Sequence, residues 1–276
     1  MTIQQNQTQP THRNQQQPRP TARQRLQEAQ RREARAAAVR RRVVIALASL
    51  GVAAVVAGSV AIAIATAEDG DSSPSTAAPL VVPANATGPD GTVVVYGRPD
   101  APHTLKVYED FRCPVCERFE TSTGKAVQQL ADDGTYKIEY HLAAFLDTNL
   151  GGQGSHTALA AMGAALNEGT DKFKQFHDVL YANQPEERVD GFGDVNRILE
   201  LAAQVPGLRT EGFTKAVTEG TYRPWADKVA KAFNASGVRG TPTVTLDDKP
   251  LTIFGKDGAP LAADQFTALV RQTTGG

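Results

Sequence analysis

Cysteine is almost absent. The chain of 276 residues has two, Cys113 and Cys116. That number excludes the multi-disulfide frameworks that staple small exported domains. It also excludes a four-ligand zinc site built from paired CxxC motifs, because there is no second pair. His103, His141, His156 and His177 are scattered along the chain, and each reads as a satisfied core or surface histidine. No metal is expected.

Large apolar side chains are nearly missing from residues 1–20, which are rich in Gln, Pro, Asn and Thr. Such a segment cannot bury enough surface to offset its ordering entropy. Charge is missing altogether from Val43 to Ala67, a run of 25 residues. About 20 apolar residues cross a bilayer as a helix. A cleaved signal peptide is the rival reading, since Ala65-Thr66-Ala67 resembles a cleavage site. Its apolar region usually has only ~7–15 residues, so an uncleaved anchor fits better.

The formal net charge of −1 hides an uneven distribution. Residues 1–42 carry ten arginines and two glutamates, a net of +8, against −9 for the remainder. Arginines directly before a hydrophobic span predict a cytoplasmic N-terminus. A basic tail can also bind nucleic acid, but its position against the span favours the topological reading. Residues 1–42 thus read as a disordered cytoplasmic tail and 43–67 as a single transmembrane helix. Residues 68–90, rich in Pro, Ser, Ala and Gly, read as a flexible linker. Residues 91–276 are then one folded domain outside the cytoplasm, long enough for a core without disulfide staples. Its acidic balance disfavours nucleic acid as a partner. The sequence shows no internal repeat.

An exported domain could use structural disulfides freely, yet its only cysteines are spaced CxxC. So small a loop removes little entropy from the unfolded chain, so a structural disulfide is a poor explanation. A reactive role is the better one.

Hydrophobic patterning supplies the frame around the motif. Thr92–Tyr96 is a short β-branched strand. Thr104–Asp110 alternates, with Leu105, Val107 and Glu109 on one face, and runs straight into the motif. From Pro114, apolar positions at Cys116, Phe119, Thr123, Val127 and Leu130 predict one helix ending at Asp133-Gly134. Tyr136–Leu142 alternates again. Residues 152–235 carry helical stripes throughout. Thr243–Leu246, a turn at Asp247–Lys249 and Leu251–Phe254 predict a hairpin, and Ala262–Thr273 a closing helix. This order gives an α/β sandwich with a helical insertion at about 150–235.

Pro114 suits the first turn of a helix, where its missing N–H costs nothing. Cys113 then lies at the helix N-terminus, whose free N–H groups and dipole favour a thiolate. Cys116, one turn inside, shares its face and should be the more buried, resolving sulfur. Asp110, before the turn, has two readings: a buried proton acceptor, or the commoner solvated carboxylate. Thr241-Pro242 precedes a strand, and on this evidence alone Pro242 is only a strand starter.

The domain resembles the thioredoxin-like thiol:disulfide oxidoreductases of the DsbA type, in the membrane-anchored form common in actinobacteria. The residues that carry the resemblance run in order. They are Gly97-Arg98-Pro99-Asp100-Ala101-Pro102, then Tyr108 to Arg112 with Cys113-Pro114-Val115-Cys116. Phe173 to Tyr181 with Asn183-Gln184 follows, and finally Gly237-Val238-Arg239-Gly240-Thr241-Pro242-Thr243. The likeness covers roughly residues 90 to 273.

It implies a thioredoxin-like fold with a helical domain inserted between the third strand and the strand after Pro242. It implies a cis Thr241–Pro242 bond beside the cysteines, a Thr241 backbone that pairs with extended substrate segments, and Cys113 as nucleophile. Pro114 and Val115 complete the active-site loop. The most oxidising members carry His where this chain has Val115. Val gives the Cys113 thiolate no charge or hydrogen bond, so a less depressed thiol and a weaker oxidant are expected, with Arg112 compensating in part. The expected activity is oxidation of protein dithiols outside the cell membrane. No cofactor beyond the disulfide is needed, and the partners are cysteine-containing substrate proteins and a quinone-linked membrane protein that reoxidises the pair. A reductase or isomerase would use the same residues, although no dimerisation domain is visible. A binding module without catalysis is the third alternative.

Overall fold

The computed structural model describes residues 79–88 and 90–275. The expected tail, the transmembrane helix and most of the linker lie outside these residues. Among the described residues no helix is long and apolar enough to cross a membrane.

A five-stranded sheet organises the domain, in the order β1 (Val94–Tyr96), β3 (Tyr136–Ala143), β2 (His103–Asp110), β4 (Thr243–Leu246), β5 (Lys249–Pro250). β2 and β3 are parallel and in register from His103 opposite Tyr136 to Asp110 opposite Ala143. The other three pairings are antiparallel. Parallel strands need a crossover, and α1 (Pro114–Ser122) with α2 (Gly124–Asp132) supplies it. Leu105, Val107, Ile138 and Tyr140 bury one face of the two central strands. That face packs against α1, α5 (Thr170–Ala182) and α9 (Ala263–Thr274), with Tyr140 against Phe173 and Phe119 against Phe266.

The helical block enters between β3 and β4. It comprises α3 (Phe145–Leu150), α4 (Gly154–Glu168), α5, a 3-10 turn at Gly191–Gly193, α6 (Val195–Ala202), α7 (Glu211–Glu219) and α8 (Arg223–Ala235). Alanine-rich α4 is buried almost all round and forms the centre of this block. Gly163 allows Trp225 to lie against it; a Cβ there would meet the indole at 2.8 Å. α8 covers the other face of the sheet through Phe233, which meets Tyr108.

Two local expectations need correction. The single helix predicted from Pro114 to Asp133 breaks at Thr123. The Thr123 hydroxyl donates to the Leu261 carbonyl at 2.6 Å, and the chain restarts at Gly124. Periodicity did not reveal the break because Cys116, Phe119, Thr123, Val127 and Leu130 are all buried on either side of it. The strand predicted over Leu251–Phe254 is also absent: past Pro250 the Leu251 N–H still donates to the Val244 carbonyl of β4 at 2.9 Å, and beyond it there is a bridge from Phe254 to Pro260. β4 starts directly after Pro242, which has no N–H, so the ladder has little strand left to pair with. The hairpin turn itself is where the sequence placed it. Asp247 and Asp248 adopt φ of 49° and 63°, and Asp247 accepts the Thr104 N–H at 3.0 Å.

Candidate active site

β2 delivers its C-terminal end to a tight turn, Asp110-Phe111-Arg112, closed by the Cys113 N–H on the Asp110 carbonyl at 2.9 Å. Cys113 is the N-cap of α1, with φ −79° and ψ 114°, and Pro114 opens the helix. The side chain leaves the helix mouth uncapped, so the N–H groups of Val115 and Cys116 face the sulfur. Thr241–Pro242 is cis and places the Thr241 carbonyl 3.4 Å from Cys113 Sγ. Features 128 residues apart therefore meet at one sulfur. Both cysteines are thiols in this structure.

The two sulfurs differ as their positions require. Cys113 is 7% exposed and Cys116 fully buried. The Cys116 thiol donates to Cys113, which is the largest influence on it. Burial opposes ionisation, while the Thr241 hydroxyl and the two main-chain N–H groups assist it. The Cys113 thiol is pulled down to about 6. Burial pushes Cys116 well above its ordinary range, helped by its bond to Cys113 and the charges of Cys113 and Glu109. Val115 is half-buried against the core. Gln184, from the loop after α5, donates to the carbonyls of Phe111 at 2.8 Å and Cys113 at 3.2 Å. The insertion thereby holds the reactive turn from above.

Residues 90–271 match the family model described as Thioredoxin. The chain belongs to the thioredoxin family. Disulfide bond formation protein D of Bacillus subtilis is 25% identical over 161 residues, 58% of this chain and 70% of its own. Two solved structures from Mycobacterium tuberculosis are each 26% identical and cover 66% of this chain. The reduced disulfide bond oxidoreductase DsbG is covered over 84% of its length with a TM-score of 0.54. Oxidised DsbA is covered over 89% with a TM-score of 0.53. This thioredoxin-family protein is a thiol:disulfide oxidoreductase.

Around the sulfurs of this oxidoreductase lie charges that sequence reasoning placed poorly. Asp110 is fully buried, which overturns its reading as a solvated carboxylate. It accepts from Ser155 Oγ at 2.6 Å and from the N–H groups of Arg112 and Leu146. Burial nevertheless pushes its carboxyl up to about 6. Arg112 does not compensate for Val115 as expected. Its guanidinium, 2% exposed, turns from Cys113 to Asp147 at 2.7 Å and Asp190 at 3.4 Å.

Glu120 was missed, and His177, read as a satisfied core or surface histidine, is a core one whose carboxylate partner Glu109 was not foreseen. Glu109 and His177 are fully buried and meet at 2.6 Å. A carboxylate on the apolar face of β2 and a histidine on the apolar stripe of α5 were the available signals. Among the described residues these three form the only His/Cys/acid group whose ligand-type atoms lie close together, within 4.8 Å. His177 already gives both ring nitrogens to carboxylates, and the Lys174 ammonium reaches Asp178 beside it. The charges balance among themselves, so we read the group as a protonated, ion-paired cluster rather than a metal site.

Proposed function

We propose that this protein oxidises dithiols of substrate proteins to disulfides on the outer side of the cell membrane, anchored by residues 43–67. The observation that carries this reading is the asymmetry of the sulfur pair: a Cys113 thiol held at about 6 in front of a Cys116 held well above the ordinary range.

Cys113 is the nucleophilic and attacked sulfur, and Cys116 resolves. A substrate thiolate attacks Cys113 Sγ of the Cys113–Cys116 disulfide. The S–S bond breaks and Cys116 leaves, taking a proton because its affinity for one is high. A second substrate thiolate then attacks the substrate sulfur of the mixed disulfide. Cys113 departs as a stabilised thiolate, the substrate disulfide forms, and the enzyme holds the two electrons. A low-pKa leaving group speeds this last step. Pro114 and Val115 shape the loop, and the Thr241–Pro242 edge offers main-chain groups to an extended substrate segment. The disulfide itself is the redox group, so the reaction as written uses no further cofactor. Reoxidation falls to a quinone-linked membrane partner. The arginine cluster before an uncharged span supports the outward placement of the domain.

One observation favours a reductase or isomerase as the second reading. Val115 gives the thiolate no hydrogen bond from its side chain, and a pKa of about 6 lies well above the ≈ 3.5 of the strongest oxidants. The reduction potential of the pair, measured against glutathione, separates the two. An oxidase should fall toward the roughly −120 mV of the strongest oxidants, and a reductase toward the roughly −270 mV of thioredoxin. A value more reducing than thioredoxin's would sink the proposal. Alkylation of Cys113 by iodoacetamide should rise with pH to half its maximum near 6. Val115→His, adding a donor to the thiolate, should move that midpoint lower. It should also make the potential more oxidising by about 30 mV for each tenfold gained. An unchanged midpoint would show that position 115 does not reach the sulfur.

A further inference from the structure

The far end of α1 carries a carboxylate that the exchange chemistry does not use. Glu120 stands seven residues from Cys113, about 10 Å along a helix axis. It is only 9% exposed, and its Oε1 is buried without a hydrogen-bond partner. The phenolic oxygen of Tyr181, on α5, is buried and unpartnered in the same way. A buried polar atom left unpaired is costly, so two on one cavity wall call for an explanation.

Glu120 and Tyr181 both line a surface cavity of about 530 Å³, with Asp178, Gln128, Lys125 and Thr121 among the other lining residues. That volume lies within the range of small-molecule sites, which combine apolar wall with a few convergent polar groups. The last turns of α1 and α5 border the cavity at Thr121 and Ala182, and helix C-termini favour cations. The first turn of α2 would favour an anion, but Glu120 already lies against it: a Cβ at Gly124 would sit 2.6 Å from Glu120 Oε2.

Charge points the same way. Glu109 and Asp178 balance His177 and Lys174, so an ionised Glu120 leaves the cluster with one negative charge in excess. Lys125, from α2, is exposed, and water and salt screen it.

We propose that this cavity binds a primary alkylammonium group. Glu120 is its counter-ion, Asp178 a second acceptor, and the Tyr181 phenolic oxygen a third. An ammonium carries three N–H donors, one for each. The ion takes the place of the proton that otherwise neutralises Glu120. A free small amine and a lysyl side chain of a partner protein share this chemistry. The occupant touches both elements that reach the reactive turn: α1, which starts after Cys113, and the end of α5, two residues before the Gln184 that donates to the Cys113 carbonyl.

The surrounding groups make Glu120 the one that titrates near neutrality. Burial and Glu109 push it up to about 7 against the pull of His177 and Lys174. Burial would lower His177, but Glu109 and Asp178 hold it up to about 9. Burial would raise Asp178, but His177 and Lys174 keep it ionised. Tyr136, Tyr140 and Tyr181 are pushed up by burial and stay neutral.

The test titrates n-butylammonium, a lysine side chain without its backbone, into the full-length protein by calorimetry at constant ionic strength. Saturable one-to-one binding is expected, with a dissociation constant of about 0.1–1 mM at pH 8. Affinity should fall about tenfold by pH 6, because the proton returns to Glu120 while the amine stays charged throughout. Tetramethylammonium, of equal charge but without N–H, should bind at least tenfold more weakly. Glu120→Gln should abolish saturable binding. Tyr181→Phe, which removes only an unpaired hydroxyl and so keeps the core intact, should weaken it several-fold; melting temperatures without ligand show that both variants fold. Binding of Nα-acetyl-lysine methylamide as tight as that of butylammonium assigns the site to a protein side chain, and its exclusion assigns it to a free amine. Absence of saturable binding, equal binding of tetramethylammonium, or full affinity in Glu120→Gln overturns the site. The readout is independent of the cysteines, so none of these results bears on the exchange reading.

Discussion

Cys113→Ser should abolish thiol-disulfide exchange entirely, and Cys116→Ser should do so in a different manner. The first removes the only sulfur that a substrate can reach, since Cys116 is fully buried. The second leaves an attackable Cys113 but no sulfur to expel the substrate. Mixed disulfides should therefore accumulate on Cys116→Ser and be absent from Cys113→Ser, as read by non-reducing gels after mixing with a disulfide-bonded substrate, whose S–S bond the Cys113 thiolate opens and whose other sulfur leaves. The pair works as a unit, so the double variant should be no worse than either single one. Equal activity in Cys113→Ser and the unsubstituted protein would instead support a binding module. A thermodynamic signature accompanies the loss. In the reduced protein the folded Cys113 thiol ionises at about 6, below its ordinary value of 9.0. The unfolded chain therefore holds the extra proton between those values, and stability rises with pH across that interval. It is lost again as pH falls through 6. Cys116, shifted the other way, erodes stability only above pH 9. Carboxyls raised by burial, such as Asp110 and Glu120, contribute equally with and without the Cys113 thiol. The melting temperature of reduced protein relative to Cys113→Ser should therefore climb from pH 6 to pH 9.

The reactive motif was legible because its signals are local. CxxC with Pro114 at the first helical position, after an alternating strand, places a sulfur at a helix mouth without knowledge of the rest of the chain. The strands β2, β3 and β4 were legible for the same reason: each alternates over its own length. Three things were not. The break at Thr123 follows from one hydroxyl reaching Leu261, 138 residues away, and leaves the apolar period intact. The fate of Asp110 depends on Ser155 and Leu146 in the insertion. The direction of the Arg112 side chain depends on Asp147 and Asp190, which also lie in the inserted block. A charged residue beside a motif reads as solvent-facing until a later segment covers it. Glu109 and His177 carried the one usable warning, a polar residue on the apolar face of its own element. Each alone suggested a satisfied core group, and only their 2.6 Å approach makes them a charge pair.

Arg112→Met should be the most destabilising substitution near the site that leaves the cysteines untouched. The guanidinium joins two segments of the insertion, through Asp147 of α3 and the Gly151 carbonyl that caps it, and through the Glu187 carbonyl and Asp190 of one later loop. Removing it leaves Asp147, 8% exposed, with a buried charge that has lost its nearest cation. Breaking a buried pair by deleting one partner costs about 3–5 kcal/mol. His156 limits the damage, because it also donates to Asp147 at 2.9 Å. Burial would raise the Asp147 carboxyl, but His156, the N–H groups of residues 155 and 156, and Arg112 hold it far below its usual range. That depressed carboxyl stabilises the fold at neutral pH, and the contribution is lost only in strong acid. His156, raised by Asp147, contributes at low pH and loses its contribution as pH rises through its folded value. Without Arg112, acid unfolding should begin at higher pH. Adding Asp147→Asn to Arg112→Met removes the stranded charge, so the double variant should be more stable than the single one. Urea melts of the four proteins in this cycle measure the coupling; additive losses would mean that the pair is not what binds the insertion to the turn. The Cys113 alkylation midpoint should stay near 6 in Arg112→Met, because the guanidinium faces the carboxylates and not the sulfur. A midpoint shifted upward would restore to Arg112 the direct role that its proximity to Cys113 in sequence suggested.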